Sequence, residues 1–205
     1  MSSFKLRPQS DALFCLLPDD DIHTVVEIGV AKGAWIDSCL LHIPNDAIVY
    51  AIDPWESKFR RKNYVFFIEH FENELSSGKI VAIRQNSLEA VATWNRPIDV
   101  LHLDGDHTAL LADLRAWVPK VRKGGFICGH DILGHRQSRY VHRDLSKYFG
   151  KLKPFFIGPV RGTTVECALK IHTFWFYKDT PYGEHHSLKR AEKKEVNNGS
   201  AETRR

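Results

Sequence analysis

The stretch Pro97–Leu133, PIDVLHLDGDHTALLADLRAWVPKVRKGGFICGHDIL, decides the fold. It reads as strand, helix, strand, with an Asp/His cluster at the end of each strand. Pro97 to Leu103 is an apolar run that stops at Asp104-Gly105-Asp106-His107. From Thr108 to Val121 the apolar residues Leu110, Leu111, Leu114, Trp117, Val118 and Val121 recur at helical spacing. Lys123-Gly124-Gly125 is expected to end that helix, and Phe126 to Cys128 to form a second short strand running into Gly129-His130-Asp131. Two parallel strands joined by a crossover helix put both carboxyl ends at one sheet edge. Asp104, Asp106, His107, His130 and Asp131 are therefore expected to converge. Ligands of open α/β sheets bind outside such carboxyl ends.

The same reading extends to the rest of the chain. Thr24–Ile28 is a β-branched strand, followed by Glu27-Ile28-Gly29-Val30-Ala31-Lys32-Gly33 and a helix from about Ala34 to Leu41. Ala47–Ile52 is a second strand ending in Asp53-Pro54-Trp55. Lys58 to Leu75 has helical character and Gly78 closes it; Lys79–Ile83 is a third strand. Ser87 is expected to cap a short helix, Leu88–Trp94. Strands alternating with helices five times over predict an α/β fold: a parallel sheet with helices on both faces. Tyr140–Phe149 fits a helix, and Pro154–Val160 and Glu166–Tyr177 fit closing strands. Residues 1–182 are expected to form one domain, opened by a helix or lid within residues 1–23. Residues 183–205 are polar and are expected to be a disordered tail.

Composition narrows the class. In 205 residues, 43% are hydrophobic and 26% charged, and the net charge is +4. That mild charge admits an anionic substrate but lacks the basic stripe of a nucleic-acid binder. Cys15, Cys39, Cys128 and Cys167 form no CxxC pair and read as buried free thiols. The start, MSSFKLRPQS, has no apolar core of signal-peptide length, and no run reaches transmembrane length. A reducing, cytoplasmic setting is expected.

One end of the site reads as nucleoside-binding. A glycine-bearing turn between strand and helix lets a ligand approach the backbone. Asp53 lies 20 residues after Gly33, where an acid at the end of a second strand meets a ribose. The pattern is E-x-G-x-x-x-G, not G-x-G-x-x-G. Glu27 disfavours a phosphate and suits a ligand with an amino group, which favours an amino-acid nucleoside over a dinucleotide. The alternative is structural: Gly29 and Gly33 permit tight packing, and Asp53 caps a helix.

Taken together, VVEIGVAKGAW, AIDPW and IDVLHLDGDH…GGFICGHD resemble the motifs of a class I S-adenosylmethionine-dependent methyltransferase. The chain is most similar to the small-molecule O-methyltransferase branch with DGDH, a D-x-x-x-W helix (here Asp113 and Trp117), GG and a terminal HD, a methyltransferase family 24-like pattern. HTFWFYK resembles that branch's last strand. The resemblance implies a Rossmann-like, mainly parallel seven-stranded sheet. It implies that the Gly29–Gly33 turn lies against the methionine part of S-adenosylmethionine, with Glu27 near its amino group. Asp53 would take the ribose hydroxyls, and Trp55 or Ile52 would flank the adenine. Asn86 and Ser87 stand where the family has an acid that accepts from the adenine amino group; Asn86 retains an amide oxygen for this. Asp104 would face the sulfonium.

Methyl transfer to oxygen requires alignment and removal of a proton. His107, with an unperturbed pKa of about 6.5 for its residue type, is the expected general base, as in the related branch. A role in ordering the loop is the alternative. Asp104 and Asp131, with His130, are candidate ligands for Mg²⁺ or Mn²⁺ that would lower the hydroxyl pKa. His130 stands where metal-dependent relatives carry an acid or Asn, and an imidazole favours softer ions than Mg²⁺. Without a metal it becomes a second base or a substrate contact. Asp106 is expected to brace the loop, Asp113 to be structural and His102 to be a core histidine. Arg60, Arg61, Lys62, Arg136, Arg139, His142 and Arg143 read as an anion contact or a solvated surface. The expected partners are a small-molecule hydroxyl acceptor and a second copy of the chain, with neither membrane nor nucleic acid. A nicotinamide-dependent oxidoreductase and a non-catalytic binding module are the competing classes; the N/D-P-P-Y/F motif of exocyclic-amine methyltransferases is absent.

Overall fold

The computed structural model describes residues 22–56, 58–129, 138–149, 155–157 and 173–177. The expected N-terminal helix, His130, Asp131, Arg136 and the tail from 183 lie outside them. Strand β1 (Thr24–Ile28) leads to helix α1 (Ala34–Cys39), and β2 (Ile48–Ile52) to α2 (Lys58–His70) and α3 (Glu72–Ser76). Then come β3 (Ile80–Ile83), α4 (Ser87–Ala92), β4 (Ile98–Leu103), α5 (Leu110–Trp117) and β5 (Val121–Gly129). Helix α6 (Ser138–Phe149) and strands β6 (Phe155–Ile157) and β7 (Thr173–Tyr177) follow.

The sheet order is β3-β2-β1-β4-β5-β7-β6. β1 to β5 are parallel; β7 pairs antiparallel with β5, and β6 with β7. The order reverses between β1 and β4, so the crevice where ligands bind lies there. β4 is buried along its whole length, as a central parallel strand covered on both faces must be. Alternation along the strands sends Val25, Val49, Ala51 and Val100 into one layer, with Trp35 of α1 and Phe67 of α2. Val26, Ile28, Ile52 and Leu101 enter the other layer, with Leu110, Leu114 and Trp117 of α5. Cys39 and Cys128 are buried free thiols, as expected, and burial pushes both well above the usual thiol range.

Three local expectations need correction. Helix α5 ends at Trp117 and passes into a 3-10 turn, Val118–Lys120. Pro119 has no N–H to continue the helical ladder. Gly124 and Gly125 therefore end no helix; they lie inside β5, where pairing jumps from Ile98–Val121 to Val100–Phe126. The short helix α4 is capped by Asn86, not Ser87. Asn86 Oδ1 accepts from the Glu89 amide at 2.9 Å, while Glu89 Oε2 accepts from the Asn86 amide at 3.2 Å, a reciprocal capping box.

Two polar latches hold the layers. Asp99 on β4 accepts from the His23 and Thr24 amides, each at 2.8 Å, and from Arg122 Nε. This carboxylate ties the entry of β1 to β4 and β5. Asp144 on α6 accepts from the Leu111 amide at 3.1 Å and from Arg143 Nε. Burial opposes its charge, but these two donors outweigh that and hold the carboxyl below its usual range. Leu111 is in the first turn of α5, whose own cap position, Ala109, offers no side-chain acceptor. Asp144 thus serves as a cap supplied from another helix. Among the described residues, no helix is long and apolar enough to cross a membrane.

Gly29 is the tightest backbone approach. Its φ is +87°, and a Cβ built there would collide with the Asp104 carbonyl and Gly105 Cα. We predict that Gly29→Ala combines left-handed strain with this collision and destabilises the fold by about 3 kcal/mol, read by urea denaturation. An unchanged midpoint would refute the account. Asp113 gives a pH signature. It is 5% exposed, and burial is the main cause pushing its carboxyl up to about 6 from an ordinary 3.8. Between those pH values the folded state holds more protons than the unfolded state, so this group costs stability as pH rises from about 4 to about 6. Asp113→Asn should gain ~1–3 kcal/mol over the native protein at pH 8 and nothing at pH 4. An equal gain at both pH values would contradict the assignment.

Candidate cofactor and active site

The turn after β1 is built by Asp53. Asp53 is 1% exposed; its Oδ2 accepts from the Ala31 amide at 3.0 Å and its Oδ1 from the Trp55 amide at 2.7 Å. Trp55 Nε1 returns a bond to the Ala31 carbonyl at 2.8 Å. One carboxylate and one indole thus fix the turns after β1 and β2 to each other. Ala31 and Trp55 both have positive φ, 51° and 46°, which this exchange of bonds stabilises. Trp55 corrects an expectation. It is fully buried against Tyr64 and Phe67, so it is core and does not face a ligand. Gly33 is likewise shaped by packing: a Cβ there would collide with the Phe71 ring and come within 2.9 Å of Phe67.

A cavity of about 360 Å³ opens at the carboxyl edge of the sheet. Ile28 and Gly29 line it from β1, and Ile52 and Pro54 from β2. Asn86, Ser87 and Leu88 contribute from the loop and helix after β3. Gly105, Asp106, Ala109 and Asp113 contribute from the loop after β4 and from α5. Arg60 is the one basic side chain on this wall, from the first turn of α2. Gly29, Asn86 and Ser87 are thus the expected cofactor residues that reach the cavity surface; Glu27, Gly33, Asp53 and Asp104 are not among its lining residues.

Glu27 is 2% exposed and its Oε1 lies 3.1 Å from His102 Nδ1 on β4. The His102 ring stacks on Trp35, with centroids 4.3 Å apart and planes 6° from parallel. His102 is the core histidine expected from its place inside a strand. Asp106 braces its loop as expected, with Oδ1 accepting from the Thr108 amide at 2.9 Å and its hydroxyl at 2.8 Å. Asp104 and His107 do come together: His107 Nε2 is 3.8 Å from Asp104 Oδ1, with the imidazole 8% and the carboxylate 29% exposed. The separation is beyond hydrogen-bond distance but within Coulomb reach of the imidazole. Arg143 is committed to Asp144 and the Thr108 carbonyl, so it is in part structural.

Asp113, expected to be structural, is nearly buried and lies on the cavity wall. Its Oδ1 accepts from the Ser87 hydroxyl, and Ser87 Oγ accepts from Trp117 Nε1 at 2.8 Å. A signal was present: Leu110, Asp113, Leu114 and Trp117 follow the spacing of one helical face, so the acid lies on the buried stripe. Among the described residues, no group of three or more His, Cys, Asp or Glu side chains is placed to hold a metal ion. The expected ligands His130 and Asp131 lie outside those residues.

Comparison with known proteins agrees with this architecture. Residues 26–132 match the family model described as "Methyltransferase domain". No curated protein sequence matches the chain significantly. Among solved structures, the chain is similar to the O-methyltransferase TomG of Streptomyces achromogenes, involved in tomaymycin synthesis and solved with S-adenosylmethionine. That likeness has a TM-score of 0.64 at 15% identity, over 83% of this chain and 80% of that one. An O-methyltransferase of Bacillus cereus solved with S-adenosylhomocysteine gives 0.65 at 13% identity, over 86% and 84%. An S-adenosylmethionine-dependent O-methyltransferase of Thermotoga maritima gives 0.61 at 12%, over 88% and 68%. These identities speak for the fold; the family match covers just over half of the sequence and contains every strand from β2 to β5 and the cavity they frame. The chain belongs to this methyltransferase-domain family.

Proposed function

We propose that the chain transfers a methyl group from S-adenosylmethionine, bound in the cavity at the carboxyl edge of the sheet, to a hydroxyl oxygen of a small molecule, sugar or natural product. The observation that carries this is the chemistry of the cavity wall. Ile28, Ile52 and Leu88 offer apolar surface to a purine, and the acids Asp106 and Asp113 outnumber the one base, Arg60, around it. Such a wall suits a ligand with a sulfonium and an ammonium. It opposes the pyrophosphate of a nicotinamide dinucleotide, which needs amides and cations. Asp53, held at the end of β2, keeps lone pairs beyond its two backbone bonds and is the group to meet the ribose hydroxyls. Glu27 sets the negative charge behind the Gly29 turn.

When bound, the donor supplies an electrophilic methyl group on sulfur. The chain aligns the acceptor and takes its proton. In the balanced step the acceptor oxygen forms the new bond to carbon as the carbon–sulfur bond breaks, and the hydroxyl proton passes to the His107 imidazole. Asp104, 3.8 Å away, stabilises the imidazolium that results. A divalent ion is the other device for activating a hydroxyl. Its ligands would be Asp104 with His130 and Asp131.

Isothermal titration is expected to show binding of S-adenosylhomocysteine and none of NADH; the reverse pattern would falsify the proposal. On an identified acceptor, His107→Ala is expected to lower kcat by about 10²–10⁴-fold and to leave donor affinity within about threefold. Retention of the native kcat would remove the base role. Chelation completes this test: activity that survives EDTA leaves proton removal to His107. Loss of activity that Mg²⁺ or Mn²⁺ restores assigns hydroxyl activation to an ion.

A further inference from the structure

The cavity wall also says how this chain tells one purine from another. β3 is the next strand outward from β2 in the sheet. With the ribose at the end of β2, the base attached to it extends toward the residues that follow β3. That part of the wall is Asn86, Ser87 and Leu88, with Asp113 joined to Ser87 from α5. An exocyclic amino group there needs an acceptor, because a buried donor without one loses the hydrogen bonds it made to water.

Asn86 Oδ1 is occupied by the Glu89 amide, and the capping box fixes the side chain in that task. Ser87 Oγ donates to Asp113 and accepts from Trp117. Asp106 Oδ1 takes both donors of Thr108, and its side chain is exposed to water, which competes for Oδ2, whereas Asp113 is nearly buried. Asp113 is different. Ser87 engages Oδ1, whereas Oδ2 lies on the Gly105 side, 3.8 Å from a Cβ built on that glycine. Gly105 is itself part of the cavity wall, so the absent side chain leaves room beside Oδ2.

We propose that Asp113 Oδ2 accepts a hydrogen bond from the exocyclic amino group of the adenine and so makes the chain select adenosyl over 6-oxopurine donors. This rests on the S-adenosylmethionine reading above. The acceptor has moved from the loop after β3, where Asn86 is spent on capping, to the facing helix. Burial of the carboxylate supports the same view. Burial pushes this carboxyl up to about 6, and a donor from a ligand lowers the cost of its charge. A 6-oxo group in the same place presents an acceptor to an acceptor and is rejected.

The test is competitive binding of S-adenosylhomocysteine and S-inosylhomocysteine, which differ at this one position of the base. At pH 8 the native protein is expected to prefer the adenosyl compound by about 10–100-fold. In Asp113→Asn the amide can turn its NH₂ to the 6-oxo group, and the preference should fall to about threefold or reverse. Asp113→Ala should lose the preference as well, and supplies the ratio if the Asn variant does not fold. A native-like preference in either folded variant overturns the proposal. So does native protein that binds both compounds equally. Native protein that binds neither compound instead overturns the donor reading on which the proposal rests.

Discussion

β1 and β4 lie side by side in space, although Glu27 and His102, which touch across them, are 75 residues apart in sequence. Most of what matters in this chain follows from that adjacency. It is the point where the strand order reverses, so the turn after β1 and the loop after β4 must share one crevice. Gly29 lets them share it, because any side chain there would occupy the Asp104 carbonyl's position. Asp99 secures the opposite end of the same pair by holding the first amides of β1. The strands are pinned at both ends, and the cavity between their loops is an outcome of that pinning.

The sheet was legible because its signals are long and redundant. β1, β2 and β4 are apolar runs ended by Gly29, Asp53 and Asp104, and α1, α2 and α5 send apolar residues into the layers between them. Tertiary pairing changed only the margins. Val121 continues the apolar spacing of α5, yet Pro119 breaks the helical ladder and Val121 pairs with Ile98 instead. A double glycine reads equally well as a helix stop or as a strand irregularity. Only the partner strand decides between them.

The site was legible in part, for a different reason. Acids at strand ends announce themselves, and Asp53, Asp104 and Asp106 stand where the spacing put them. Function within a loop is harder to read, because neighbouring residues compete for one task. Asn86 and Ser87 can both cap α4; the reciprocal bonds with Glu89 assign the cap to Asn86 and release Ser87 to Asp113. Trp55 follows directly on a ligand-end motif, but an indole gains more by filling the space beside Phe67. For Asp113 the guide is its angular position on α5, since an acid on an apolar stripe must face something polar inside the fold.

The bond from Asp144 to the Leu111 amide has a further consequence, for the order of assembly. Helix α5 has no side-chain cap of its own, so its first turn is completed by a residue 33 positions later. A chain emerging from the ribosome exposes the whole of α5 before that acceptor exists. The Leu111 amide, in the helix that carries Asp113, therefore gains this acceptor only after α6 has been made and has docked, although nearly all of the cavity lining is encoded earlier.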